Sequence, residues 1–166
     1  MFSMSQFVVL ISTIVVATSM SADEVKSLPT YGELPADSQY AGFVNATSRG
    51  NNKIHYWFCR AETKEEAFDS NTPLLIWLNG GPGASSETGL LSENLGPQKI
   101  DSKGMLSDNP DALTKQGYHL LVIDNPVGSG YSYTTDGMFY YTFFSHPLST
   151  TSTILITSRN IHSKLV

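Results

Sequence analysis

Pro73-Leu74-Leu75-Ile76-Trp77-Leu78-Asn79-Gly80-Gly81-Pro82-Gly83 opens as an apolar run with no polar face and closes in a turn built of glycine and proline. A run this short and this uniformly apolar reads as a strand covered on both faces, the signature of a parallel sheet. Leu120-Leu121-Val122-Ile123-Asp124 repeats the pattern further along the chain. Between the two runs, Ser85 to Leu95 (SSETGLLSENL) starts with serine and continues apolar, which predicts a short helix with Ser85 or Ser86 as its cap. Strand, crossover helix and strand together predict an α/β sheet.

Upstream, Tyr40 to Ala46 and Ile54 to Arg60 mix aromatic and branched residues around the turn-rich segment Thr47-Ser48-Arg49-Gly50-Asn51-Asn52-Lys53, which predicts a hairpin. Thr63 to Asp69 is charged and reads as a surface loop or a short helix. All 15 acidic residues lie within residues 23–136, together with eight of the ten basic ones. The 166-residue chain carries a formal charge of −5, which argues against nucleic-acid binding. One Cys and four scattered His give no metal-ligand spacing, so neither a metal nor another cofactor is expected.

The two ends differ from this middle. Residues 1–22 carry no charged side chain, and Phe7 to Ala17 is apolar before the small residues that precede Asp23. That pattern predicts a secretory signal peptide, too short for a membrane span of roughly 20 residues. No membrane attachment is expected after its removal. In a secreted chain Cys59 has no internal partner, and its place in a strand pattern reads as a small buried hydrophobe. Asn45-Ala46-Thr47 offers a glycosylation acceptor at Asn45. Residues 137–166 contain no Asp or Glu and run Ser/Thr-rich to Val166. This segment reads as an unstructured or non-native tail, of the kind that a translated intron or a shifted frame produces.

The turn Asn79-Gly80-Gly81-Pro82-Gly83 follows a buried strand, where open α/β sheets bind ligands. Glycine permits backbone torsions closed to other residues, and successive N–H groups held in such a loop can face an anion or oxyanion. A tight structural turn between strand and helix remains the other reading. The loop is no phosphate-binding P-loop, since no Lys-Ser or Lys-Thr pair follows, and no dinucleotide fingerprint is present.

Residues 73–86, continued by Gly89-Leu90-Leu91-Ser92-Glu93-Asn94-Leu95-Gly96-Pro97, resemble the most recognisable block of the serine carboxypeptidases. Tyr40-Ala41-Gly42-Phe43-Val44 with His55-Tyr56-Trp57-Phe58, and Asp124-Asn125-Pro126-Val127-Gly128-Ser129-Gly130-Tyr131-Ser132-Tyr133, agree with the same family in order and spacing. The resemblance runs from about Ser38 to Thr134. It implies an α/β-hydrolase fold, here incomplete, and removal of single residues from the carboxyl termini of peptides or proteins. It also implies work at acid pH in a lysosome, a vacuole or an extracellular fluid. By position it makes Gly81 an oxyanion-hole N–H donor, and assigns Asn79, the Gly80 backbone and Glu93 to the substrate's terminal carboxylate. A Glu facing a carboxylate must share a proton with it, because two like charges at close range raise one pKa; this accounts for an acidic working range.

The family's nucleophile sits in a Gly-x-Ser-x-Gly elbow, with Asp and His later, and no such elbow occurs in the 166 residues. Whether this chain is itself an enzyme therefore stays open. Ser85 or Ser86, Asp124 and His146 occur in the order Ser, Asp, His, but neither Ser lies in an elbow, and His55, His119 and His162 read as structural or exposed. Ala84 stands where the family usually has a disulfide Cys, and Asn109 to Leu113 replaces an aromatic-containing stretch. Three readings follow: the amino-terminal part of a serine carboxypeptidase whose activity resides in a longer product, a non-catalytic secreted isoform that binds peptide carboxyl termini, and a non-functional translation product. The parallel sheet is expected to have an open edge, and the isolated chain to be poorly stable. Oligomeric state is not readable from the sequence.

Overall fold

The computed structural model describes residues 22–46, 51–62, 72–81 and 83–137, together with the backbone of residues 153–157. Residues 1–21 of the signal-peptide segment, the charged stretch Thr63 to Asp69, Thr47 of the glycosylation triplet, His146 and His162 lie outside the described residues. Ten strands and one helix are described: β1 (Ser27–Leu28), β2 (Gly32–Glu33), β3 (Gln39–Asn45), β4 (Asn52–Cys59), β5 (Leu74–Leu78), α1 (Glu87–Leu91), β6 (Gln98–Ile100), β7 (Leu106–Asp108), β8 (His119–Ile123), β9 (Tyr133–Thr134) and β10 (Thr153–Thr157).

The main sheet has the order β10-β5-β8-β4-β3, with β9 added alongside β4. The expected hairpin is present as antiparallel β3 and β4, from Gln39 opposite Cys59 to Asn45 opposite Lys53. The two apolar runs pair in parallel, Leu74 with His119 through Trp77 with Val122. A parallel pair needs a crossover, and α1 with the β6–β7 hairpin lies in it. Because β4 meets β8 antiparallel, the sheet is mixed.

Leu75, Trp77, Leu120 and Val122 form one buried cluster with Cys59 and with Leu90 of α1. The alternation of β4 thus delivers Cys59 to the core as a fully buried hydrophobe. Burial pushes its thiol far above the ordinary cysteine range. Iodoacetamide at about pH 8 is accordingly expected to leave Cys59 unmodified in the native chain and to alkylate it fully in denaturant, as mass spectrometry would read. Native-state alkylation at the denatured rate would place Cys59 outside the core.

Two expectations need correction. The helix is Glu87–Leu91, not the full stretch from Ser85 to Leu95. It ends early because Ser92 and Glu93 both donate their backbone N–H to the Thr88 carbonyl, and Asn94 turns to a φ of 60°. The tail, read as unstructured or non-native, supplies β10, which pairs antiparallel with β5 from Thr153 opposite Leu78 to Thr157 opposite Leu74 and corrects the first of those two alternatives. The edge of β5 that faces away from β8 is therefore paired. At the other edge, Val25 donates to the Gln39 carbonyl and Ala41 to that of Asp23, so the segment before β1 shields β3.

Candidate functional site

The carboxyl ends of β5 and β8 lie side by side, so the loops that leave them, 79–86 and 124–132, meet above the sheet. Asp124, the first residue beyond β8, is the hub of that meeting, and it is only 1% exposed. Its Oδ1 accepts from the Ser85 hydroxyl at 2.8 Å and from the Ser86 backbone N–H at 2.7 Å. Its Oδ2 accepts from the Tyr131 N–H at 2.9 Å. The Ser132 hydroxyl donates to the Asp124 carbonyl at 2.6 Å and accepts from the His55 N–H at 2.7 Å. Gly130 makes this closeness possible: it has a φ of +50°, and an added Cβ would collide with both carboxylate oxygens of Asp124.

The two serines read as helix caps do something different. Ser86 is at the cap position of α1, yet its hydroxyl makes no capping bond. It donates to the Ile123 carbonyl at 2.5 Å and accepts from the Asn79 N–H at 3.1 Å, tying the end of β8 to the end of β5. Ser85 takes the Glu87 N–H at 3.2 Å while it binds Asp124. Ser86 is itself only 1% exposed, so its hydroxyl is spent on these strand-end groups rather than on the helix cap.

Gly81 and Gly83 have φ values of +136° and +111°, a region that disfavours side chains, so the glycines are demanded by the loop's shape. Both are exposed, and Gly80 and Asn79 are half-buried. The Asn79 side-chain oxygen accepts a hydrogen bond from the Trp77 indole N–H. Glu93 is exposed on the turn after α1, its backbone bonded to Thr88. Asn45 ends β3, exposed, its side-chain oxygen accepting from the Lys53 ammonium.

His55 is the residue whose surroundings were not legible in advance. It is buried on β4, and its Nδ1 stands 2.8 Å from Glu87 Oε1 and 3.7 Å from Asp124 Oδ2. Phe43 and Tyr131 pack against the imidazole, with ring centroids 5.1 and 5.2 Å away. His55, Glu87 and Tyr131 line a cleft of about 490 Å³ whose other walls include Phe43, Trp57 and Leu91. The wiring differs from a catalytic triad, in which the serine hydroxyl bonds to the histidine; here Ser85 bonds to the carboxylate. His119 is structural, its Nδ1 accepting the Ala61 N–H at 3.0 Å. One signal pointed towards the cluster: Asp124 continues an apolar strand without a break, which puts a carboxylate at a buried strand end.

Comparison with known proteins gives a family match. The serine carboxypeptidase family profile matches residues 29–152. That span is wider at both ends than the resemblance read from Ser38 to Thr134, and it enters the segment read as unrelated tail. The lysosomal protective protein of Mus musculus is 38% identical over 118 residues, covering 70% of this chain and 23% of that protein. Serine carboxypeptidase-like 26 of Oryza sativa subsp. japonica is 40% identical over 114 residues, 68% of this chain and 23% of its own length. The venom serine carboxypeptidase of Apis mellifera is 35% identical over 142 residues, 85% of this chain and 27% of that protein. The chain thus spans about a quarter of the length of these relatives. Among solved structures, the prohormone-processing carboxypeptidase KEX1 of Saccharomyces cerevisiae is 29% identical, with a TM-score of 0.49 over 61% of this chain and 22% of that one.

Proposed function

Because this chain belongs to the serine carboxypeptidase family, we propose that residues 79–93 supply the oxyanion and carboxylate-recognition parts of a peptidase that removes carboxyl-terminal residues from peptides. The α/β-hydrolase fold belongs to this reading, and the parallel β5 and β8 with α1 in their crossover support it. So does a place in the secretory pathway, since one relative is named lysosomal and another is a venom protein.

The observation that carries the proposal is the state of Asn79. Its oxygen is occupied by the Trp77 indole and its backbone N–H by Ser86, so the side-chain NH₂ is the group left to donate. An amide held in this orientation presents donors only, which suits a carboxylate. Gly81, two residues on and exposed, brings a backbone N–H within the same loop. Developing negative charge on a scissile carbonyl oxygen is stabilised by such fixed donors, at a typical value of about 3 kcal/mol per donor in the transition state. The nucleophile is assigned to sequence outside these 166 residues, which contain no Gly-x-Ser-x-Gly.

The test begins with the transcript across the codons for Thr134 to Phe144. An in-frame Gly-x-Ser-x-Gly downstream, and release of the last residue from a blocked dipeptide by the encoded product, are expected. In that product Asn79→Ala should raise KM about tenfold or more, the loss of one charge-assisted hydrogen bond, and leave an amidated peptide unaffected. An unchanged KM would remove Asn79 from carboxylate recognition. A transcript ending at Val166 would leave the binding reading, for which calorimetry with free-acid and amidated peptides is decisive.

A further inference from the structure

The His55, Glu87 and Asp124 cluster shares no residue with the groups assigned to the substrate, Asn79, Gly80, Gly81 and Glu93, and peptide hydrolysis by a serine nucleophile does not call for it. The geometry points to a binding site for one divalent cation of the zinc class, held by His55 Nδ1, Glu87 Oε1 and Asp124 Oδ2. The three residues each bring one ligand atom to within 4.8 Å of the others. Zinc takes nitrogen at about 2.0–2.1 Å and carboxylate oxygen at about 2.0–2.2 Å, so tetrahedral ligand atoms stand roughly 3.3 Å apart. The distances from His55 Nδ1, 2.8 Å to Glu87 and 3.7 Å to Asp124, bracket that spacing.

The bonding around each atom supports the assignment. Oδ1 of Asp124 already accepts two hydrogen bonds, whereas Oδ2 accepts one and keeps a lone pair on the side of His55. Glu87 Oε1 is shut off from solvent and accepts no hydrogen bond, although the imidazole nitrogen is close to it. A buried carboxylate oxygen without a donor is costly, and a cation between it and the nitrogen removes that cost. Two carboxylates and one neutral imidazole balance the charge of a dication, and imidazole with carboxylate is a donor set for zinc more than for magnesium or calcium, which prefer six or more oxygens. Two of the three ligand residues, His55 and Glu87, also line the cleft. Bound there, the ion would join β4, α1 and the loop after β8.

The test uses the full chain without a polyhistidine tag, dialysed free of metal and titrated with zinc chloride. Uptake of about one zinc per chain is expected by mass spectrometry of the metal, with a melting temperature raised by about 5 °C or more in excess zinc and unmoved by magnesium. Glu87→Gln, which keeps the side chain's shape, and His55→Phe, which suits the neighbouring Phe43 and Tyr131 rings, should each weaken zinc binding at least tenfold. Failure of zinc to bind or to raise the melting transition overturns the proposal, as does zinc affinity in both variants equal to that of the parent chain. Peptide hydrolysis by a longer product is read separately, so either result can fail without the other.

Discussion

Asp124→Ala is expected to lower stability by about 3–5 kcal/mol, the largest single-residue loss outside the apolar core. The substitution removes the acceptor for the Ser85 hydroxyl, the Ser86 N–H and the Tyr131 N–H at once. The Ser86 site is buried, so its orphaned N–H has no water in easy reach. Against this stands the gain from no longer desolvating a carboxylate, which is why the loss is put below the sum of three full penalties. Asp124→Asn should lose about half as much. Its oxygen can serve Ser85 and Ser86, but its NH₂ then confronts the Tyr131 N–H, donor against donor. Urea unfolding followed by circular dichroism reads both. An alanine variant within about 1 kcal/mol of the parent would show that the two loops are held by something other than this carboxylate.

The same residue marks how far the sequence could be read. The two apolar runs, the hairpin and the glycine turn were legible because each is a local pattern: unbroken apolar residues, aromatic and branched residues flanking a turn-rich segment, and glycines whose positive φ values a turn requires. The cluster around Asp124 was not, because its members come from β4, the start of α1 and the loop after β8. Nothing in the sequence around Glu87 says that it will face a histidine, and a Glu in the first turn of a helix ordinarily faces water. Ser86 misled for a related reason: its type and position suit a cap, while tertiary contacts gave its hydroxyl to Ile123 and Asn79. The strand at residues 153–157 escaped since a Ser/Thr-rich stretch has weak periodicity, and pairing with β5 is decided by the partner's available edge. The roles given to Asn79, Gly81 and Glu93 came from the family resemblance alone.

Gly89→Ala sets helix propensity against packing, and the magnitudes decide the sign. Alanine in a helix interior is favoured over glycine by about 1 kcal/mol. A Cβ on Gly89, however, would lie 2.8 Å from two ring carbons of Trp77 and closer still to the indole nitrogen. Trp77 is 9% exposed and packed with Leu75, Leu90 and Val122, so the ring has little room to retreat. Overpacking of a well-filled core costs about 1–3 kcal/mol, and displacement of the indole also breaks its bond to the Asn79 oxygen, about 1 kcal/mol more. The expected net loss is about 2 kcal/mol, read as a lower urea midpoint. If the peptidase reading holds, the effect reaches further: Asn79 freed from Trp77 can rotate its oxygen towards the incoming carboxylate, so a longer active product with this substitution should show a raised KM. A stabilised Gly89→Ala chain would mean that α1 leaves room for a methyl group beside Trp77, and the indole could not then be what orients Asn79.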